Sequence, residues 1–221
     1  MNENKVIKGT GLLGRFLGGP VKLGDVYKRD GDDLNKFESI IDDLLKLNGF
    51  NEIPDNWITK SNPKDLKITG ASGIEIDFAA SANIPEGEAS LSLSFNNKKT
   101  AFVNLKNAVT YELALGEIKN DIIRIWKEKD YEKQPRRFVL VNKLIRAKSG
   151  TIIYSEERNN KIGLKAKTPD VPLIDLEPTG SGKVSIVSSR SEHLEVISEN
   201  EFEPLFGAVR LNKQGRFKAV D

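Results

Sequence analysis

The chain has 221 residues, of which 38% are hydrophobic, enough to bury the core of one large domain or of one domain with appendages. Its net charge of +2 is spread along the sequence and aromatic residues make up only 7%, which argues against nucleic-acid binding by charge or by base stacking. The absence of cysteine excludes disulfides, thiolate nucleophiles and zinc–thiolate sites, and it fits a cytoplasmic protein.

The N-terminal region lacks a helix signal because glycine and proline interrupt its apolar runs. We expect a short strand or a flexible loop over residues 6–20. Within it, the apolar segment 11–17 fits either packing under a sheet or contact with a membrane. Residues 1–5 do not lead into a continuous apolar core, and no window holds about 18 consecutive apolar residues, so we expect neither a signal peptide nor a transmembrane helix.

Two helices are predicted from apolar residues that recur at spacings of three and four. The first covers residues 33–47 and ends near Gly49, and the second covers residues 117–131. Residues 51–72, which contain prolines, are predicted to form a loop with one short strand. The apolar stripes are Leu34, Phe37, Ile41, Leu44 and Leu45 in the first helix, and Ile118, Ile122, Ile125 and Trp126 in the second.

Two neighbouring stretches, 74–84 and 89–113, alternate apolar and polar residues over unusually long runs. Because strand side chains alternate between faces, each run predicts a strand with one dry face and one wet face. Such strands can cover half of a soluble core, or they can span a membrane with lipid on one side and water on the other.

Further strands are predicted at 138–147, 151–155 and 161–167, with a tight turn at Asn159-Asn160, and at 184–188, 194–197 and 205–211. Strands dominate and no regular β-α-β repeat is present. The sequence therefore predicts an α+β fold, a twisted and mostly antiparallel sheet with interspersed helices. We expect a single domain over residues 1–211 and a short basic tail at 212–221.

No catalytic constellation stands out, so we predict a protein that is not an enzyme and that uses no cofactor or metal. The single histidine, His193, has Ser191 and Glu192 beside it, but neighbouring strand residues face opposite ways and do not make a triad. The segment 180–183, Gly-Ser-Gly-Lys, lacks the rest of a phosphate-binding loop, so a flexible hairpin loop is the favoured interpretation.

A basic strand is predicted at 136–148, where cations flank apolar residues. Near an anionic leaflet each such cation adds about 1 kcal/mol of attraction. The alternative is a sheet edge that its charges protect from pairing. The candidate lipid-contacting cations are Arg136, Arg137, Lys143, Arg146 and Lys148.

The order of these pieces resembles the N-terminal pore-forming domain of gasdermins, including their compact bacterial relatives. The resemblance lies between Gly73 and about Lys167, under half of the chain. It rests on the amphipathic strand pair at 73–113, the helical connector at 116–131, the strand that starts with Phe138-Val139-Leu140-Val141, and a second amphipathic pair that ends at Lys167.

The resemblance implies a cytoplasmic protein that moves to the inner face of the plasma membrane on activation, oligomerises with its own copies and inserts two long amphipathic β-hairpins, 74–113 and 138–167. It implies a role in cell death or antiviral defence, and activation by a protease that cuts the tail at a basic residue such as Lys213, Arg216 or Lys218. The residues implied to enter the membrane are Ile74, Ile76, Phe78, Ala80, Ala82, Ile84, Leu91, Leu93, Phe95, Val103 and Leu105.

The alternative function is a soluble, non-enzymatic α+β binding or adaptor module, in which the alternating strands simply cover a core. This alternative predicts a stable monomer or small oligomer that does not respond to lipid. A third hypothesis, an enzyme that uses only carboxylates and lysine, has no site that we can name.

Overall fold

The computed structural model describes residues 4–7, 10–15, 21–30, 33–68, 74–79, 88–134, 137–155, 157–167, 184–188, 193–198, 201–212 and 214–220. The chain packs as two compact units. The first unit comprises residues 1–63, 108–146 and 203–221, and the second comprises residues 64–107 and 147–202. The prediction of one domain over residues 1–211 stays a prediction.

Strands outnumber helices in the described part of the chain, and the strand pairs whose register is defined are antiparallel, so the fold is α+β, as predicted. The helices are α1 (Ile41–Asn48) and α2 (Leu115–Glu128), with short 3-10 turns at Asp55–Trp57 and Tyr131–Lys133. The strands are β1 (Asn4–Ile7), β2 (Leu12–Arg15), β3 (Asp25–Asp30), β4 (Asp33–Ser39), β5 (Ile58–Lys60), β6 (Lys64–Ile68), β7 (Ile74–Ala79), β8 (Glu88–Phe95), β9 (Thr100–Leu113), β10 (Phe138–Ala147), β11 (Ser149–Ser155), β12 (Asn160–Lys167), β13 (Val184–Ser188), β14 (His193–Ser198), β15 (Phe202–Leu211) and β16 (Phe217–Ala219).

The first unit is a sheet with both helices packed on its core. Its strand order is β1-β2-β15-β10 followed by the last part of β9, with β3 and β4 attached through β10, β5 attached to β9 and β16 attached to β15. Leu44 of α1 and Ile122 and Trp126 of α2 are buried in one hydrophobic cluster with Val141 of β10 and Phe206 of β15. Burial of this apolar surface is the main stabilising term for the unit.

Helix α2 forms where the apolar spacing predicts a helix. The four residues of its stripe, Ile118, Ile122, Ile125 and Trp126, are all buried, which confirms the predicted core face. The predicted basic tail contains a strand, because Phe217–Ala219 pairs with β15. Val220, which follows this strand, is buried, with 2% of its surface exposed.

The helix predicted over residues 33–47 is wrong in its first half, which forms strand β4. Leu34 is buried, but Phe37 is 54% exposed, so these two residues do not share a buried helical face. The pairing of β4 with β3 shifts register between Val26 and Tyr27, which leaves Phe37 as the extra residue of a β-bulge. The helix starts only at Ile41 because cross-strand pairing, which is not local in sequence, outweighs the local helical spacing.

The second unit contains two pieces of sheet. In one, β11 lies between the first part of β9 and β14, and β6 pairs with β9. The other is a four-stranded sheet in the order β13-β12-β8-β7. A turn is present next to the predicted position, at residues 157–159, where Asn159 has a φ of 60°. It does not join a hairpin, since β11 pairs with β9 and β12 pairs with β8.

Most of the other predicted strands are confirmed within a few residues of their bounds. Strands β10 and β13 match the predicted ranges 138–147 and 184–188, and β15 covers the range 205–211. The short-strand interpretation of residues 6–20 is confirmed for β2, and residues 51–72 hold two short strands rather than one. The two long hairpins, 74–113 and 138–167, stay a prediction, and residues 80–87 of the first and residue 156 of the second lie outside the described residues. Among the described residues no helix combines the length and apolar character that crossing a bilayer requires.

Candidate functional site: the long ladder of the second unit

Two long stretches of the second unit run antiparallel to each other in one register. Strand β8 pairs with β12 from Glu88↔Lys167 to Phe95↔Asn160. Strand β9 then pairs with β11 from Thr100↔Ser155 to Lys106↔Ser149. Between Phe95 and Thr100 lie four residues, and between Ser155 and Asn160 also lie four. The two sets of pairs therefore have the same register. We call residues 88–106 and 149–167 together the long ladder.

The apolar residues of the long ladder at positions 93, 95, 103 and 105 are buried in this conformation. Leu93, Phe95, Val103 and Leu105 are each 0% exposed, and Ile74 on the neighbouring β7 is 5% exposed. Phe95 has Ile74 as its cross-strand partner. Glu75, next along β7, is exposed and accepts a hydrogen bond of 2.7 Å from the side-chain amide of Asn96. Ile74 and Glu75 therefore follow the predicted alternation of dry and wet positions.

The expectation of one wet face is wrong for residues 100–105 of β9, where both faces are buried. Phe102, which faces away from Val103, is 1% exposed, and its partner Ile153 on β11 is 0% exposed. Asn104 and Thr151 are partners on the same face and are also buried. An apolar residue at position 102 interrupts the alternation, so this strand is covered on both sides, as buried strands are.

The residues predicted to enter a membrane fall into three groups. The first group is buried in the described conformation and consists of Ile74, Leu93, Phe95, Val103 and Leu105. The second group lies in strands β7 and β8 with undescribed side chains and consists of Ile76, Phe78 and Leu91. The third group lies outside the described residues and consists of Ala80, Ala82 and Ile84.

The predicted lipid-contacting cations include two that form ion pairs inside the first unit. Lys143 Nζ lies 3.3 Å from an oxygen of Glu112, and Arg146 contacts Glu203 at 2.6 Å. The Arg146 guanidinium also stands 5.3 Å from the ring centre of Tyr111, a cation–π distance. The alternative interpretation, a protected sheet edge, is wrong for this strand, because β10 lies between β9 and β15 in the sheet.

The remaining predicted cations have different surroundings. Arg137 is exposed and donates a 3.0 Å hydrogen bond to the side chain of Gln134. Lys148 is exposed as well, and its backbone N–H donates to the carbonyl of Lys106. Arg136 lies outside the described residues. The structure therefore does not gather the five cations into one cluster of described side chains.

The sequence reasoning missed a charge cluster that ties α2 to α1 and β4 in the first unit. Lys129 Nζ lies 2.8 Å from Glu38 Oε2 and 3.0 Å from Asp43 Oδ2. Its hydrogen bond with Glu38 is the largest of the effects that raise the pKa of Lys129 above its ordinary value. A groove of about 390 Å³ beside it is lined by Asp43, Lys46, Leu47, Ile125, Glu128 and Lys129. No sequence spacing signals this cluster, because its three charged members lie on three separate elements.

The described residues hold no group of three or more histidine, aspartate or glutamate side chains arranged to bind a metal ion. No protein-family model matches this chain, and no curated protein sequence matches it.

Proposed function

We propose that the chain is a gasdermin-like membrane pore-forming protein that acts in cell death or defence. It is soluble as a monomer, oligomerises with its own copies at the membrane and inserts two β-hairpins there. The observation that supports this proposal best is the long ladder, in which two extended stretches keep the same antiparallel register on both sides of a four-residue interruption. Proteins that cover a small core seldom need strands of this length, since ordinary strands have about 5–6 residues.

The lengths of the strands suit this proposal. A tilted strand needs about 9–11 residues to cross a bilayer. Strand β9 has 14 residues, and β8, which is separated from it by residues 96–99, has 8. The apolar residues Leu93, Phe95, Val103 and Leu105 provide the lipid-facing side once the ladder leaves its soluble packing.

The cations of the first unit suit an anionic membrane surface, but two of them first have to exchange partners. Lys143 and Arg146 are held by Glu112 and Glu203. Phosphate groups of an anionic leaflet replace these carboxylates at little net cost, because such partly exposed ion pairs contribute only about 1 kcal/mol or less. The proposal therefore places the chain at the inner face of the plasma membrane after activation.

Proteolysis of the tail is the proposed trigger. Arg216 is exposed and directly precedes β16, which pairs with the edge of β15. Cleavage after Arg216 detaches Phe217–Ala219 and Val220 from that edge. An uncovered strand edge is a template for pairing with another copy.

Release of a trapped dye from vesicles tests the proposal. The full chain, and a chain cut at the tail and checked for folding by circular dichroism, are added to vesicles of phosphatidylcholine and phosphatidylserine. We expect leakage from these vesicles and much less from vesicles of phosphatidylcholine alone. The matched variant Leu93→Asp puts a charge on the apolar face, and Ser94→Asp puts the same charge on the neighbouring position, so only Leu93→Asp should abolish leakage. Absence of leakage with both forms of the protein overturns the proposal.

The second candidate is a soluble, non-enzymatic α+β binding or adaptor module. The complete burial of Leu93, Phe95, Val103 and Leu105 favours it, because these side chains act as core in the described conformation. It predicts that the protein sediments as the same species with and without vesicles and that no dye escapes.

A further inference from the structure

The sequence contains one Asn–Gly dipeptide, Asn48-Gly49, and it lies at the C-terminal end of α1. Asparagine before glycine readily loses its side-chain ammonia, because glycine has no Cβ atom to hinder attack by its backbone nitrogen on the asparagine side chain. Asn48 is exposed, so water reaches this position. The contacts that hold the two residues therefore decide how fast this reaction runs in the folded chain.

The side-chain amide of Asn48 is held by two acceptors. Its nitrogen Nδ2 donates a 3.0 Å hydrogen bond to the carbonyl oxygen of Leu44 and a 3.1 Å hydrogen bond to Oδ2 of Asp121. Because both partners are acceptors, only the nitrogen end of the amide fits between them. Leu44 belongs to α1 and Asp121 belongs to α2, so the amide joins the two helices. We call these three residues the amide bridge.

The backbone nitrogen of Gly49, which is the nucleophile of the reaction, is also engaged. Gly49 follows α1 with a φ of 70°, and its N–H donates a 3.3 Å hydrogen bond to the carbonyl oxygen of Lys46. The N–H of Phe50 donates to the carbonyl oxygen of Leu45 at 3.0 Å. Left-handed glycine closes many helices in this way. An N–H that donates a hydrogen bond gives up its proton less readily, so this glycine cap slows the reaction while α1 stays folded.

The reaction itself needs only water. When the cap opens, the deprotonated nitrogen of Gly49 attacks Cγ of Asn48, a bond forms between these atoms, and the bond from Cγ to Nδ2 breaks. Nδ2 leaves as ammonia, because the proton that Gly49 lost returns to it through water. Water then adds to one of the two carbonyl groups of the cyclic imide and opens the ring, which gives aspartate or isoaspartate. Either product carries a carboxylate in place of the amide.

The product carboxylate conflicts with both partners of the amide bridge. It has no proton to donate, and it faces the carbonyl oxygen of Leu44 and the carboxylate of Asp121. Two neighbouring carboxylates repel each other, and a negative charge at the C-terminal end of a helix opposes the helix dipole. Arg124, which lies 3.8 Å from Asp121, offsets only part of this repulsion because that pair is partly exposed. Isoaspartate also lengthens the backbone by a methylene group, which disrupts the glycine cap.

We propose that Asn48-Gly49 is a site of spontaneous deamidation that the amide bridge and the glycine cap restrain, and that its conversion releases the end of α1 from α2. The change is irreversible in water, because the ammonia is lost. The released end leads into Phe50, whose ring packs edge-on against Trp57 with 5.6 Å between the ring centres. Both helices belong to the first unit, and the inference is independent of the proposed function.

Mass spectrometry of the tryptic peptide 47–60 tests the site, and this peptide supplies its own controls. The full chain is incubated at mildly alkaline pH in water labelled with heavy oxygen, which marks each new carboxylate, and is then digested in ordinary water. Asn51 and Asn56 lie in the same peptide but precede residues with large side chains, so we expect conversion at Asn48 alone. An isoaspartate methyltransferase identifies the isoaspartate product.

Variants of the amide bridge test the restraint. Asp121→Ala removes one acceptor and should speed the conversion of Asn48 about fivefold, the factor that corresponds to one ordinary hydrogen bond. Glu117→Ala, the matched control, removes an exposed carboxylate from the same helix and should leave the rate unchanged. Equal rates in the parent and Asp121→Ala overturn the restraint. Absence of conversion in Asp121→Ala, over a period in which the free peptide 47–60 converts, overturns the site.

The release of α1 is tested with aspartate in place from the start. Asn48→Asp should lower the midpoint of urea unfolding followed by circular dichroism, whereas Asn48→Gln, which keeps an amide, should lower it less. The double variant Asn48→Asp/Asp121→Asn should recover most of the loss, because an amide again faces a carboxylate across the two helices. A midpoint of Asn48→Asp equal to that of the parent, or a double variant without recovery, overturns the proposed release.

Discussion

At the scale of single residues, Gly150 makes a close approach of two backbones in the long ladder possible. A Cβ atom at this position would lie 2.5 Å from the carbonyl oxygen of Asn104 and 2.9 Å from Cα of Leu105. These are backbone atoms, so they cannot move aside as a flexible side chain would. Gly150 and Leu105 are direct partners, and the glycine lets β9 and β11 approach each other.

We therefore expect Gly150→Ala to destabilise the protein by about 1–3 kcal/mol, the usual cost of forcing atoms into a packed site. The measurement is the midpoint of urea unfolding followed by circular dichroism. Gly116→Ala is the matched control, because no atom lies within 4 Å of its added Cβ and alanine favours a helix, so its midpoint should stay or rise. Equal midpoints for the two variants contradict this account of Gly150.

Lys129 provides a second prediction at the residue scale. Its raised pKa means that the folded state holds the proton more tightly, so its ion pairs contribute fully below the ordinary value of 10.5 and are lost as the pH rises through the folded value. Lys129→Met should lower the stability by about 1 kcal/mol between about pH 6 and pH 9, and the difference from the parent should shrink above that ordinary value. Lys127→Met, at an exposed neighbouring position, is the matched control and should leave the stability near neutral pH almost unchanged. A constant difference at all pH values contradicts the assignment.

At the scale of secondary-structure elements, the sequence predicts best those segments in which the local apolar spacing and the packing in the fold favour the same structure. Helix α2 was predictable because all four residues of its stripe are buried on one side. Strand β4 was not predictable, because the spacing of Leu34 and Phe37 also fits a helix. This segment forms a strand because it pairs with β3, which the local sequence does not reveal. The turn expected at Asn159-Asn160 was predictable to within a residue, but the pairing of the strands beside it was not, since the choice of β8 rather than β11 as the partner of β12 is not encoded locally.

The buried stripe of α2 gives a prediction at this scale. Ile122→Ala removes a fully buried side chain and should cost about 2–5 kcal/mol, including the cavity that it leaves. Lys119→Ala, on the exposed side of the same helix, should be nearly neutral. Thermal unfolding of both variants measures this difference, and similar midpoints would mean that α2 does not form part of the core.

At the scale of the whole molecule, the candidate site was only partly predictable from sequence. Alternation correctly identified the strands and the apolar residues Leu93, Phe95, Val103 and Leu105, which are all buried. It did not reveal the single register of the long ladder, or the ion pairs of Lys143 and Arg146, because both depend on residues far away in the chain. The function that we propose joins these features, because buried strands of this length also suit a later role in a membrane.

The most direct test of this account is a scan of single cysteines along β8, each carrying an environment-sensitive fluorophore. On addition of phosphatidylcholine–phosphatidylserine vesicles, we predict a blue shift at one set of alternate positions, Leu91, Leu93 and Phe95, and little shift at the set between them, Ser90, Ser92 and Ser94. A period of two reports a strand with one face in lipid. Spectra that do not change at any position when vesicles are added contradict the account.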